Sequence, residues 1–371
     1  MLHVRNPMLE AAMLEAREDP RPALVYADWL QANGSAWGEL ITVQHALETR
    51  PDDAALLSRE RALVSALPLP PADFGTVSWR RGCIEALHVF NERDWMDSAF
   101  DVMEVVRPVL ALPMCAGLRE LRTGVIRWEA NRVDVPAVLD EVAKHDFVGR
   151  VERLMLGDIP DDVDMDHHVI GDVRAALKRF AGLRWLTLHS GAQAWESPDG
   201  FEFGPLTLPA LEVLRIETCA MTAPRLRQVL DSHLPALRSL TLWFGAPDRD
   251  GDARLEDLRP LLAGRVLGTV TALGLCNNEF TDALAVALCD SVLPERLTSL
   301  DLSMGTLGGD GARTLADAAA RWPRLTRLDV SQSFLDEDDV ARLRQAFPRA
   351  TVVADDMKEP VDEDRYCSVH E

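Results

Sequence analysis

Two runs of carboxylates mark where this chain could do chemistry. The first is Asp161-Asp162-Val163-Asp164-Met165-Asp166-His167-His168. Carboxylates and imidazoles together form the donor set of a divalent-cation site. Adjacent side chains on one loop diverge, however, and no matching remote ligand is legible, so the run reads as an acidic solvated loop. The second, Asp248-Arg249-Asp250-Gly251-Asp252, starts like a calcium-binding EF-hand loop. It fails at the discriminating positions: Ala253 replaces the required glycine and Arg259 the bidentate glutamate. Nucleophilic catalysis has no G-x-S-x-G elbow to rest on. Gly308-Gly309-Asp310-Gly311 lacks the Lys-Ser/Thr of a phosphate loop. No residue is nominated as catalytic, and no metal or cofactor is expected.

The charge balance narrows the partners. The 371 residues carry 60 acidic and 39 basic side chains, a net charge of -21. Such a chain repels phosphate backbones unless it holds a compensating basic stripe, and none is legible, so no nucleic acid is expected. No apolar run approaches the roughly 20 residues of a membrane span. The start, Met1-Leu-His-Val-Arg-Asn-Pro, lacks the charged and apolar regions of a signal peptide. The six cysteines, Cys83, Cys115, Cys219, Cys276, Cys289 and Cys367, form no CxxC pair. That scatter suits reduced thiols, and a cytoplasmic protein, better than a disulfide framework or a zinc site.

A repeat supplies the framework. The phrase L-x-x-L-x-L, with conservative exchanges, begins at Ile84, Leu118, Val151, Leu183, Leu211, Leu237, Val270, Leu297 and Leu325. Successive starts lie 34, 33, 32, 28, 26, 33, 27 and 28 residues apart. The later spacings approach the roughly 20–29-residue period of leucine-rich repeats; the longer ones require insertions or longer helices. After the last strand leucine comes a turn position held by Gly191, Cys219, Gly245, Asn278, Gly305 and Ser333. Met221, Phe280, Leu307 and Leu335 then plug the core, and helix-forming runs follow Thr281-Asp282, Asp310 and Asp336. Each unit is a strand, a turn and a helix, which resembles the ribonuclease-inhibitor type of repeat. The expected fold is an α/β leucine-rich-repeat solenoid with a parallel sheet on its concave face, spanning residues 79–355. Thr351-Val352-Val353 is expected to close it. A doubly wound α/β protein would also alternate strands and helices, but its strands lack this fixed grammar.

Residues 1–50 read as a small all-helical module, as an open solenoid end needs a cap. Asp19-Pro20-Arg21-Pro22 separates the first two helices, Asn33-Gly34 ends the second, and a third runs from Trp37 to Leu47. Residues 51–78 read as a short helix and a Pro-rich linker. The segment EDPRPALVYADWLQANGSAWGELITVQHAL resembles the bacterial repeat-companion domain, through Tyr26-Ala27-Asp28-Trp29-Leu30, Gly38-Glu39-Leu40-Ile41 and Gln44. The segment WRRGCIEALHVF, residues 79–90, is similar to the arginine-glycine stretch that follows in that family. Cys83 stands where an aromatic is usual, and Trp37 where a basic or small residue is common. The resemblance implies a bacterial, repeat-associated architecture and no defined reaction.

If the repeat leucines point inward, the interleaved residues face outward from the sheet. They include Glu120, Arg122, Arg153 and Met155, then Trp185, Thr187, His189, Val213, Arg215, Glu217 and Trp243. Tryptophan and arginine are the side chains that dominate binding hot spots. Met155, Trp185, His189, Arg215, Glu217 and Trp243 are therefore the candidate partner-binding residues; covering of the two tryptophans by the loops 189–206 and 244–256 is the competing reading. The stretch 356–371 reads as an acidic flexible tail, where Arg365, Tyr366 and Val369 are expected to add a contact, against the alternative of a frayed terminus. Its ending resembles the R-Y-x-S/A-V-x-E terminus of some bacterial leucine-rich-repeat proteins. The function expected is non-catalytic binding of a protein partner. The alternative is an accessory protein or substrate of a peptide- or protein-modification system that acts on the tail.

Overall fold

The computed structural model describes residues 4–91, 101–124, 135–158, 165, 168–191, 201–247, 250–360 and 364–369. The chain divides into two compact units, Met1–Leu154 and Met155–Glu371. The strands follow one another in chain order from first to last in an 11-stranded sheet, as a repeat array requires.

The first unit opens with four helices: α1 (Pro7–Glu15), α2 (Pro20–Ala32), α3 (Ala36–Thr49) and α4 (Ala54–Val64). Local chemistry starts three of them. The Asn6, Asp19 and Asp53 side chains accept first-turn N–H groups, and Pro7 and Pro20 sit where an N–H would have no helical partner. Gly34, at φ 75°, ends the turn after α2. Tyr26, Ala27, Leu30, Trp37, Leu40 and Ile41 form the helical core. Gly38 lets α2 and α3 approach, because a Cβ there would lie 2.4 Å from the Ala27 carbonyl oxygen.

Strand β1 (Gly75–Arg80) begins inside the stretch read as linker and pairs antiparallel with β2 (Cys83–Val89). Arg81 and Gly82, at φ 44° and 76°, form the two-residue turn between them, the left-handed conformation that matches strand twist. Strand β2 pairs in parallel with β3 (Glu120–Gly124), placing Leu87 beside Leu121. Helices α5 (Val102–Leu110) and α6 (Val135–Val142) flank β3 in the chain, and β4 (Arg153–Asp158) spans the division between the units.

In the second unit β5 (Trp185–His189), β6 (Val213–Glu217), β7 (Ser239–Trp243), β8 (Ala272–Cys276), β9 (Ser299–Asp301), β10 (Arg327–Asp329) and β11 (Thr351–Val353) pair in parallel. The register aligns Leu186, Leu214, Leu240, Leu273, Leu300, Leu328 and Val352 in one row. All seven are buried. A one-residue slip in any strand would turn its leucines to the opposite face, so the pattern specifies the register. The fold is the expected leucine-rich-repeat solenoid, with Thr351–Val353 as the last strand.

The returns between strands vary in length. Helices α7 (Arg174–Leu177) and α9 (Arg259–Leu262) have four residues each, α8 (Ala223–Leu230) has eight, and α10 (Thr281–Asp290), α11 (Gly309–Asp317) and α12 (Glu337–Ala346) have nine or ten. The long 237–270 spacing is thus an insertion ahead of a short 3-10 turn and α9, not a longer helix. Asp336 caps α12 by accepting the Asp339 N–H at 2.8 Å. Asp282 lies inside α10 and is used differently, as described below.

Candidate functional site

Outward residues of β5, β6 and β7 bring several of the expected binding side chains together. The register sets Thr187 beside Arg215 and His189 beside Glu217. Arg215 Nε donates to Glu217 Oε1 at 2.8 Å, while His189 Nδ1 lies 3.8 Å from Glu217 Oε2. The His189 ring meets Trp243 edge-on at 6.0 Å between centroids. Trp185 stands at the other end of β5, about 13 Å from His189 at the usual rise per residue. It is 43% exposed. Met155 is half-buried on β4.

The interleaved column is not uniformly open. Glu217 is 6% exposed and Thr187 7%, so neither offers the free surface that alternation alone implies. Glu217 lies beneath Arg215 and His189 and holds both. A buried carboxylate needs such partners, since its desolvation would otherwise be costly. Of the expected binding residues on these strands, Trp185 and Arg215 are exposed and His189 and Trp243 half-buried.

A second feature, in the first unit, was not foreseen from the sequence. A cavity of about 450 Å³ opens on the outward side of its strands, among Arg17, His88, Arg119, Arg122 and Arg153. Glutamates interleave with these cations. Arg17 pairs with Glu85, Arg119 with Glu152 at 3.2 Å, and Arg153 with Glu120 at 3.8 Å. Burial pulls the Arg119 guanidinium below its ordinary value, and Glu152 opposes that shift. Column reading had found Glu120, Arg122 and Arg153. It missed Arg17 because that side chain comes from the turn after α1, 68 residues from Glu85.

Arg365, Tyr366 and Val369 do not extend from a free tail: residues 356–360 and 364–369 are described, and they lie against the chain's own last repeats. Arg365 donates to the Thr306 carbonyl and the Asp282 carboxylate, each at 2.8 Å. The Tyr366 ring meets Phe334 edge-on at 5.6 Å. The Val369 N–H and carbonyl pair with the Asn277 side-chain amide at 2.8 and 2.7 Å. Acidic composition suggested disorder, but the described residues of this segment make specific polar contacts with the repeats.

The acidic run 161–168 lies almost entirely outside the described residues, with only Met165 and His168 inside, and Asp248 and Arg249 lie outside as well. Among the described residues, no group of three or more His, Cys, Asp or Glu is placed to hold a metal ion. All six cysteines are buried and none is in a disulfide, and burial pushes the Cys83 thiol up to about 12. Among the described residues, no helix is long and apolar enough to cross a membrane.

No family model matches the sequence. No curated protein matches it either. Comparison with solved structures does return matches. A Bacteroides fragilis protein is 19% identical, with a TM-score of 0.59 over 72% of this chain and 72% of its own. An internalin from Listeria monocytogenes is 13% identical, with a TM-score of 0.32 over 74% of this chain and 82% of its own. TLR13 in complex with ssRNA13 is 15% identical, with a TM-score of 0.36 over 67% of this chain and 34% of its own. At these identities the likeness to the Bacteroides fragilis protein is one of fold alone.

Proposed function

We propose that this chain is a non-catalytic, cytoplasmic bacterial protein that binds a protein partner through the outward face of its repeat sheet. One observation carries the reading: Trp185, Arg215, His189 and Trp243 stand on three adjacent strands, with buried Glu217 holding Arg215 and facing His189. Tryptophan and arginine on a rigid scaffold supply contact area at low entropic cost, and partner hot spots are built from them. The helical residues 1–50 act as the repeat-companion cap in this reading. The test is capture from a native extract by the wild-type chain and by a Trp185→Ala/Trp243→Ala variant. A partner lost by the variant, with the melting temperature shifted by no more than a few degrees, supports the face. A partner retained undiminished excludes it.

The alternative, a substrate modified at its tail, is disfavoured by the docked geometry. Cys367 is fully buried, while Tyr366, packed edge-on against Phe334, stays 38% exposed. An enzyme acting on Cys367 would first have to lift the segment from its seat.

A further inference from the structure

The described residues of the C-terminal segment run back across the turn edge of the last repeats, and several of them meet different kinds of partner. Lys358 starts the docked region, its N–H bonded to the Ser333 carbonyl at 2.8 Å. Arg365 then places its two terminal nitrogens on the Thr306 carbonyl and on Asp282. Asp282 is held in place by the Gly308 N–H, at 2.8 Å. Gly308 leaves the room that the guanidinium fills, because a Cβ there would lie 2.0 Å from Arg365 Nη1. Tyr366 stacks edge-on against Phe334, and the Lys358 ammonium lies 4.6 Å from the Phe334 centroid and 5.2 Å from that of Tyr366.

The next residues are read with equal specificity. Cys367 is 0% exposed, which admits a small side chain at that position. Ser368 donates its N–H to the Met304 carbonyl at 2.8 Å, and its hydroxyl accepts from Lys358 Nζ at 3.2 Å. Asn277, itself buried and held at φ 52°, presents an amide donor and acceptor side by side to the main chain of Val369. That pair copies what a neighbouring strand would offer, the main-chain half of peptide recognition. Sealing the open end of the array would call for an apolar cover over the last strand. These contacts are mostly polar, and they reach back past two earlier turns to Asn277.

We propose that the turn edge formed by Asn277, Asp282, Met304, Thr306, Gly308 and Phe334 is a peptide-recognition site for an Arg-Tyr-small-Ser-Val segment, occupied in cis by the chain's own C-terminus. A second copy's tail, or any peptide of this sequence, competes for the site whenever the cis segment lifts off. The site is separate from the sheet face proposed above, and neither depends on the other. Burial moves the Lys358 ammonium down to about 8, in keeping with its enclosure between the two rings.

Two measurements on the full-length chain test this. In the first, Cys367 alkylation is followed by mass mapping for the wild type, Arg365→Ala and Gly308→Ala. Either variant removes charge-assisted bonds from the seat, so Cys367 should react about ten- to a hundred-fold faster, with Cys115 unchanged as the control for intact folding. In the second, a labelled synthetic peptide, Asp-Arg-Tyr-Cys-Ser-Val-His-Glu, is titrated into the wild type and into Arg365→Ala. It should bind Arg365→Ala at least about ten-fold more tightly, because the wild-type site is already filled. A scrambled peptide should bind neither. Wild-type Cys367 reacting as fast as the free peptide overturns the docking. Protection of Cys367 without capture of the peptide by Arg365→Ala, or equal binding of the scrambled peptide, overturns the recognition site.

Discussion

Gly82 should govern the stability of the first unit, since two side chains of α3 grip its main chain from both sides. Trp37 Nε1 donates to the Gly82 carbonyl at 2.7 Å, and the Gly82 N–H donates to Gln44 Oε1 at 2.6 Å. Gly82 is buried, Trp37 is 1% exposed and Gln44 7%, so water cannot replace either partner without rearrangement. Gln44→Met keeps the volume and leaves the N–H orphaned, at about 1–3 kcal/mol. Trp37→Phe orphans the carbonyl at a similar cost and adds a void, about 2–4 kcal/mol together. Because both act on one residue, the double variant should depart from additivity by at least about 0.5 kcal/mol. Urea unfolding followed by circular dichroism measures the losses, and hydrogen exchange over 20–50 and 75–90 assigns them to this unit. Single-variant changes below about 0.5 kcal/mol would show that Gly82 finds other partners, and the reasoning would fail.

Three further outcomes are expected. Gly38→Ala should destabilise the first unit by about 2–3 kcal/mol, read in the same unfolding assay, because the new methyl is driven into the Ala27 carbonyl. Gly245→Ala should prevent soluble expression or lower the melting temperature by many degrees: the residue sits at φ 71°, and its Cβ would fall 1.6 Å from the Cys219 carbonyl oxygen. Arg59 and Arg81 hydrogen-bond Glu39 and Glu48 and hold these carboxyls below their ordinary value of 4.5. A carboxylate depressed in the folded state adds stability above its unfolded pKa and loses it as pH falls through the folded value. The melting temperature should therefore drop as pH falls below about 4.5, and Glu48→Gln should shrink that drop; an unchanged pH profile would remove Glu48 from the account.

Much of the stretch around Tyr26–Leu30 turns out to be packing. Tyr26, Ala27 and Leu30 are fully buried, and the Tyr26 hydroxyl donates to buried Glu10 at 3.2 Å. Gly38 permits the helix crossing, and Gln44 holds the hairpin turn. Trp37 has a physical role in its bond to Gly82. That role was invisible in the sequence because its partner lies 45 residues away.

By itself the sequence determined the array. A leucine ladder depends only on period and pleat: once L-x-x-L-x-L recurs, inward leucines and parallel register follow from one strand to the next. It also placed Trp185, Arg215 and Trp243 on the outward face, because alternation is a local rule. Tertiary structure decided which of those residues are accessible. Glu217 obeys the same alternation yet is buried, since its burial is set by Arg215 and by His189 on the neighbouring strand. It alone decided the fate of the tail as well. Arg365 meets Asp282 across 83 residues and Val369 meets Asn277 across 92, pairings with no periodic signature. Composition reported the acidity of that segment and therefore pointed to disorder. The contacts that order it depend on turn geometry, on left-handed residues at 277 and 304 and a glycine at 308, which exists only once the repeats have stacked.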